Sequence, residues 1–132
     1  MNEVVLDASV VLKWFHAEGE ERLDAARDLR GRYEAGDLGV LAPPLLWLEI
    51  VNVAARRWGW SEAELEKLAA TLTDLGFEPI EPDLATVARW AGRGLTAYDA
   101  AYVAVAEETG ASLVTDDAEV VRIAPKLAEA LG

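Results

Sequence analysis

Apolar residues fall into short blocks along this chain, each broken by a carboxylate, a glycine or a proline, and the blocks alternate between two kinds. Val4-Val5-Leu6 is too short for a helix and apolar on both sides, the pattern of a buried strand in a parallel sheet covered on both faces. Val10 to Phe15 predicts a short helix, and Glu20 to Ala35 a longer one ended by Gly36. Gly39 to Leu41 fits a brief strand or a loop. Pro43-Pro44 opens the next helix, Leu45 to Ala55, which is apolar almost all round and therefore buried.

Ser61-Glu62-Ala63-Glu64 has the spacing of a capping box and starts an amphipathic helix to about Leu75, stopped by Gly76. Phe77 to Ile80 fits a short strand, and Pro82 starts a helix through Ala91. Thr96, with Asp99 three residues on, caps an apolar helix, Ala100 to Glu107, closed by Gly110. Ser112-Leu113-Val114-Thr115 is a second buried strand, ending on Asp116 and Asp117. From Ala118 onward the pattern predicts helix, broken at Pro125, and Lys126 to Leu131 has helical character where a last strand would be needed. Strands alternating with helices predict one three-layer α/β/α domain over residues 1–132 with a mainly parallel central sheet. Within 132 residues there is no repeat, linker or low-complexity segment.

Composition narrows the chemistry. Cysteine is absent, which removes disulfides, thiolate metal sites and cysteine nucleophiles. No apolar run reaches the roughly 18 residues of a membrane span, and no signal peptide is evident, so a cytoplasmic protein is expected. Twelve Lys and Arg against 24 Asp and Glu leave a net charge of −12, which argues against nucleic-acid binding by a broad basic surface. His16, the single histidine, is expected at the surface.

Several acids nevertheless occupy positions where water is scarce. Asp7 follows the first strand, at the edge where open α/β sheets bind ligands. Glu49 interrupts the most apolar helix and shares a face with Asn52; it needs a cation, such as Arg56 or Arg57, or a polar cleft. Asp99 opens a buried helix, and Asp116 or Asp117 ends the second strand. Like charges gathered at one sheet edge repel, and a bound cation offsets that repulsion. Oxygen ligands without His or Cys favour Mg²⁺ or Mn²⁺. Such a cluster suits metal-assisted hydrolysis of a phosphodiester.

Four segments in order, Val5-Leu6-Asp7-Ala8-Ser9, Leu48-Glu49-Ile50-Val51-Asn52, Leu95-Thr96-Ala97-Tyr98-Asp99-Ala100-Ala101-Tyr102 and Leu113-Val114-Thr115-Asp116-Asp117, resemble the motifs of PIN-domain nucleases, most closely the VapC-type toxin ribonucleases of toxin–antitoxin pairs. The resemblance implies that Asp7, Glu49 and Asp99 are the core acids and Asp117 the fourth. Ser9, Asn52 and Thr115 would support them. It further implies an RNA substrate, a cognate antitoxin partner and a homodimer. Lys13, Arg56, Arg57, Arg89 and Arg93 are the candidate contacts to substrate phosphates. Two other readings stand beside it: a metal-binding phospho-signalling domain of the receiver type, which would want an acidic pair after the first strand and a Lys closing a late one, and an idle PIN scaffold that only binds partners.

Overall fold

The computed structural model describes residues 2–132. Five parallel strands form one sheet in the order β3-β2-β1-β4-β5: β1 (Asn2–Leu6), β2 (Leu38–Ala42), β3 (Glu78–Pro79), β4 (Ser112–Thr115) and β5 (Ala128–Ala130). All four pairings are parallel. Seven α-helices complete the described residues: α1 (Ala8–Val11), α2 (Leu23–Glu34), α3 (Leu45–Arg56), α4 (Glu62–Leu75), α5 (Leu84–Gly92), α6 (Ala97–Thr109) and α7 (Ala118–Ile123). The result is the three-layer α/β/α architecture that the alternation of elements predicts.

β1 lies in the middle, with Val5 opposite Leu41 of β2 and Leu113 of β4. Val5, Leu6 and Leu113 are fully buried, as expected of strands covered on both faces. α6 packs on β1, β2 and β4. Seven successive residues of this helix, Ala100 to Ala106, are buried. Four of them are alanines, which allow close approach of neighbouring elements, and α5 packs along it. Ser61 and Glu64 form the reciprocal capping box of α4, which Gly76 closes in the left-handed conformation at φ +71°.

Three local expectations are corrected. Lys126 to Leu131 is not helical: Ala128–Ala130 pairs in parallel with Leu113–Thr115, and Leu131 N–H extends the ladder to the Thr115 carbonyl at 2.8 Å. Ala, Glu and Leu prefer helix locally, but the edge of β4 offers a row of open hydrogen-bonding groups that outweighs that weak preference. The first helix is shorter than Val10 to Phe15 suggests and starts earlier: α1 runs from Ala8 to Val11 and tightens into a 3₁₀ turn, Leu12–Trp14. His16 is half-buried rather than at the surface, its ring stacked on Trp58 at 4.4 Å.

Candidate active site

The carboxyl ends of β1 and β4 lie side by side, and the first residues after each strand carry the acids. Asp7 is the N-cap of α1 and only 5% exposed. Its Oδ1 accepts hydrogen bonds from Ser9 N–H at 3.1 Å and Ser9 Oγ at 2.5 Å, while Oδ2 accepts one from Thr115 Oγ1 at 2.5 Å. The capping role and the site role therefore coincide in one side chain. Burial pushes its carboxyl up to about 6; the Ser9 and Thr115 hydrogen bonds oppose that rise, and the negative charge of Asp99 adds to it.

Two hydroxyls tie the strand ends together. Ser9 Oγ donates to Asp7 and accepts from Asp116 N–H at 2.9 Å. Thr115, fully buried, donates to Asp7 and accepts from Asp117 N–H at 3.1 Å. Alternation along a strand suggests Thr115 as a donor to the Asp117 carboxylate. The chain turns instead, and the hydroxyl proton goes to Asp7.

Glu49 comes from the middle of α3, half-buried, and its partner is neither Arg56 nor Arg57. Its Oε1 accepts from the Tyr102 hydroxyl on α6 at 2.5 Å. Burial raises the Glu49 carboxyl above its ordinary range, the Tyr102 hydrogen bond lowers it and the charge of Asp99 raises it. Burial and the neighbouring Glu49 push the Tyr102 phenol far upward, so it stays protonated as the donor. Asp99 sits in the first turn of α6, where its N–H donates to Thr96 Oγ1 at 3.0 Å. Burial and the charge of Asp117 raise its carboxyl. Asp117 caps α7 by accepting from Glu119 N–H at 2.9 Å.

These side chains border one open cleft of about 410 Å³, lined by Asp7, Glu49, Asp99, Asp116 and Asp117 together with Asn52, Arg57 and Tyr102. Asn52 is exposed and makes no side-chain hydrogen bond among the described residues. Of the basic candidates only Arg57 lines the cleft. Lys13 is 3% exposed and bound to Glu20 and Asp116, so it is closed to substrate. Arg89 forms a two-pronged ion pair with Glu107 at 2.9 and 3.2 Å that ties α5 to α6. Arg93 lies 4.6 Å over the Trp90 ring, and Arg56 is exposed in the last turn of α3, away from the cleft lining. Tyr102 is the site residue that pattern reading misses, because an aromatic inside an apolar helix has the signature of core. Its signal was the spacing: Tyr102 stands three residues after Asp99 and so shares its helix face. Tyr102→Phe removes the donor to Glu49 and is expected to cost about 1 kcal/mol in metal-free chemical denaturation.

Among the described residues no three acidic or imidazole side chains close into a ready-made cage. The donor set still fits a hard divalent ion. Mg²⁺ keeps several waters and takes only one or two carboxylates directly. Here Asp7, Glu49 and Asp99 all have carboxyls raised by burial and, in smaller part, by a neighbouring carboxylate, Asp99 acting on the first two and Asp117 on the third, a condition a cation relieves. Asp7, Glu49, Asp99 and Asp117 are the residues that would hold it.

Comparison with known proteins bears on the family and the fold. The family model described as "PIN domain" matches residues 4–126. No curated protein sequence matches the chain. Among solved structures, PAE2754 from Pyrobaculum aerophilum is 28% identical with a TM-score of 0.66, over 98% of this chain and 91% of that one. Mycobacterium tuberculosis VapC20, described as a sarcin–ricin loop cleaving toxin, has the same TM-score at 17% identity, over 90% of this chain and 93% of its own, a likeness of fold.

Proposed function

Because the chain belongs to the PIN-domain family, we propose that it is a Mg²⁺- or Mn²⁺-dependent endoribonuclease, the toxin of a VapC-type toxin–antitoxin pair. The observation that carries this reading is the convergence of Asp7, Glu49, Asp99 and Asp117, from four separate elements, on one cleft at the carboxyl edge of the sheet. Likeness to a protein described as a sarcin–ricin loop cleaving toxin points the same way.

When bound, a divalent ion supplies positive charge against the scissile phosphate and makes water a stronger acid. The chain's own groups do the remaining work. Ser9 and Thr115 hold both oxygens of Asp7 in one orientation, so the buried carboxylate meets a cation without rearranging. Tyr102 fixes Oε1 of Glu49 and leaves Oε2 free either to complete the cation site or to accept a proton from attacking water. Arg57 is the one cation of the cleft lining among the described residues and would meet a substrate phosphate. An antitoxin and a second copy of the chain are the expected partners, and cytoplasmic RNA the expected target. Among the described residues no helix is long and apolar enough to cross a membrane.

Incubating a mixed RNA pool with the protein in Mg²⁺, in Mn²⁺ and in EDTA tests the proposal. Cleavage is expected with either ion and none in EDTA, and Mn²⁺ alone should raise the melting temperature, because an ion bound only by the folded state stabilises it. Intact RNA in all three conditions, with an unchanged melting temperature at millimolar Mn²⁺, would leave a partner-binding scaffold as the better account.

A further inference from the structure

Six carboxylates line the cleft, and two of them already have a cation. Besides Asp7, Glu49, Asp99 and Asp117, the lining includes Glu20 and Asp116. Lys13, in the 3₁₀ turn after α1, brings its ammonium to 2.9 Å from Glu20 Oε2, 2.8 Å from the Glu21 carbonyl and 3.1 Å from Asp116 Oδ2. An ammonium has three N–H donors, and three oxygens surround this one. The Lys13 side chain is 1% exposed, so water does not compete for it. Arg22 adds a second positive group, its Nε 3.1 Å from Asp116 Oδ1, and Ser9 Oγ accepts from the Asp116 N–H.

Two carboxylates and a carbonyl arranged around one point are a hard-oxygen donor set of the sort that holds a divalent cation. Here a side chain fills it. Of the remaining four acids three are partly committed: both oxygens of Asp7 to Ser9 and Thr115, Oε1 of Glu49 to Tyr102, Oδ1 of Asp117 to the α7 backbone. Among the described residues Glu49 Oε2 and Asp117 Oδ2 are left without a hydrogen bond from the protein, and the Asp99 carboxylate lines the cleft beside them. Together with Asp7, they suffice for one ion that keeps some of its water.

We propose that the Lys13 ammonium is a resident cation standing where a second divalent ion would bind, so that the cleft takes a single Mg²⁺ or Mn²⁺. The inference rests on the metal-dependent reading above and goes beyond it in number. It also assigns the adjacent acids: Asp116 belongs to Lys13, and Asp117 faces the remaining acids.

Titrating the full-length chain with MnCl₂ and following free Mn²⁺ by its electron paramagnetic resonance signal reads the number directly, without RNA. One Mn²⁺ per chain is expected. In Lys13→Met the vacated oxygens should admit a second, and the double variant Lys13→Met with Asp116→Asn should return to one. Lys13→Arg should keep one. Two ions per wild-type chain would overturn the inference while leaving metal dependence standing; none would overturn both. A folded Lys13→Met that still binds one ion also overturns it. Should Lys13→Met fail to fold, the wild-type number decides alone, one supporting the inference and two refuting it.

Discussion

Asp7→Asn should abolish RNA cleavage and, in metal-free buffer at pH 7, make the protein more stable than the wild type. The carboxyl of Asp7 titrates near 6 in the folded chain, against an ordinary value near 3.8. The folded state therefore holds this proton more tightly than the unfolded state, and wild-type stability falls as pH rises through that window. Above it the penalty is fully expressed. The shift corresponds to about 3 kcal/mol, from which the weakened Thr115 contact of the asparagine subtracts about 1 kcal/mol. Asp7→Asn should thus exceed the wild type by roughly 2 kcal/mol at pH 7, a difference that closes toward pH 4. Urea denaturation in EDTA at the two pH values measures it, and Mn²⁺ should reverse the ranking at pH 7 by stabilising only the wild type. A variant less stable than wild type at pH 7 in EDTA would mean that the N-cap and not the burial of charge dominates this position.

Thr115→Val should damage the site from behind. The hydroxyl is fully buried, donates to Asp7 Oδ2 and accepts from Asp117 N–H, and valine matches its shape while doing neither. Leaving buried polar groups without partners costs about 1–3 kcal/mol. Groups that orient a metal ligand contribute about 10- to 100-fold in affinity or activity. Cleavage and Mn²⁺ affinity are both expected to fall within that range, with Thr115→Ser recovering most of each. If Thr115→Val cleaves normally while losing only stability, the hydroxyl serves the fold alone.

What local pattern can reveal differs from element to element. Val4 to Asp7 and Leu113 to Asp117 are legible because strand, strand end and acid lie within a few residues of one another. The capping box at Ser61 and the N-cap at Thr96 are equally local. Lys13 is a different case: an exposed lysine and a lysine enclosed by Glu20, Glu21 and Asp116 have the same one-letter code. Only the return of residues 16–22 over the first helix turns a candidate phosphate contact into an internal ion pair. The Tyr102–Glu49 bond joins residues 53 apart and leaves no trace in either helix's periodicity. β5 is hidden for a related reason, since its hydrogen bonds are made with β4 and Ala-Glu-Ala carries no strand preference of its own.

The outer strands of the sheet are its shortest. β3 has two residues, one of them Pro79, which offers no N–H, and β5 has three, with Glu129 and Ala130 exposed. An unpaired strand edge is a template on which other chains can assemble, and brevity, proline and charge are the features that blunt it. With a net charge of −12 adding colloidal repulsion, the folded molecules have little to template upon one another. Heated samples should therefore refold on cooling without precipitating, and thermal transitions with and without metal can be read as equilibria rather than as races against aggregation.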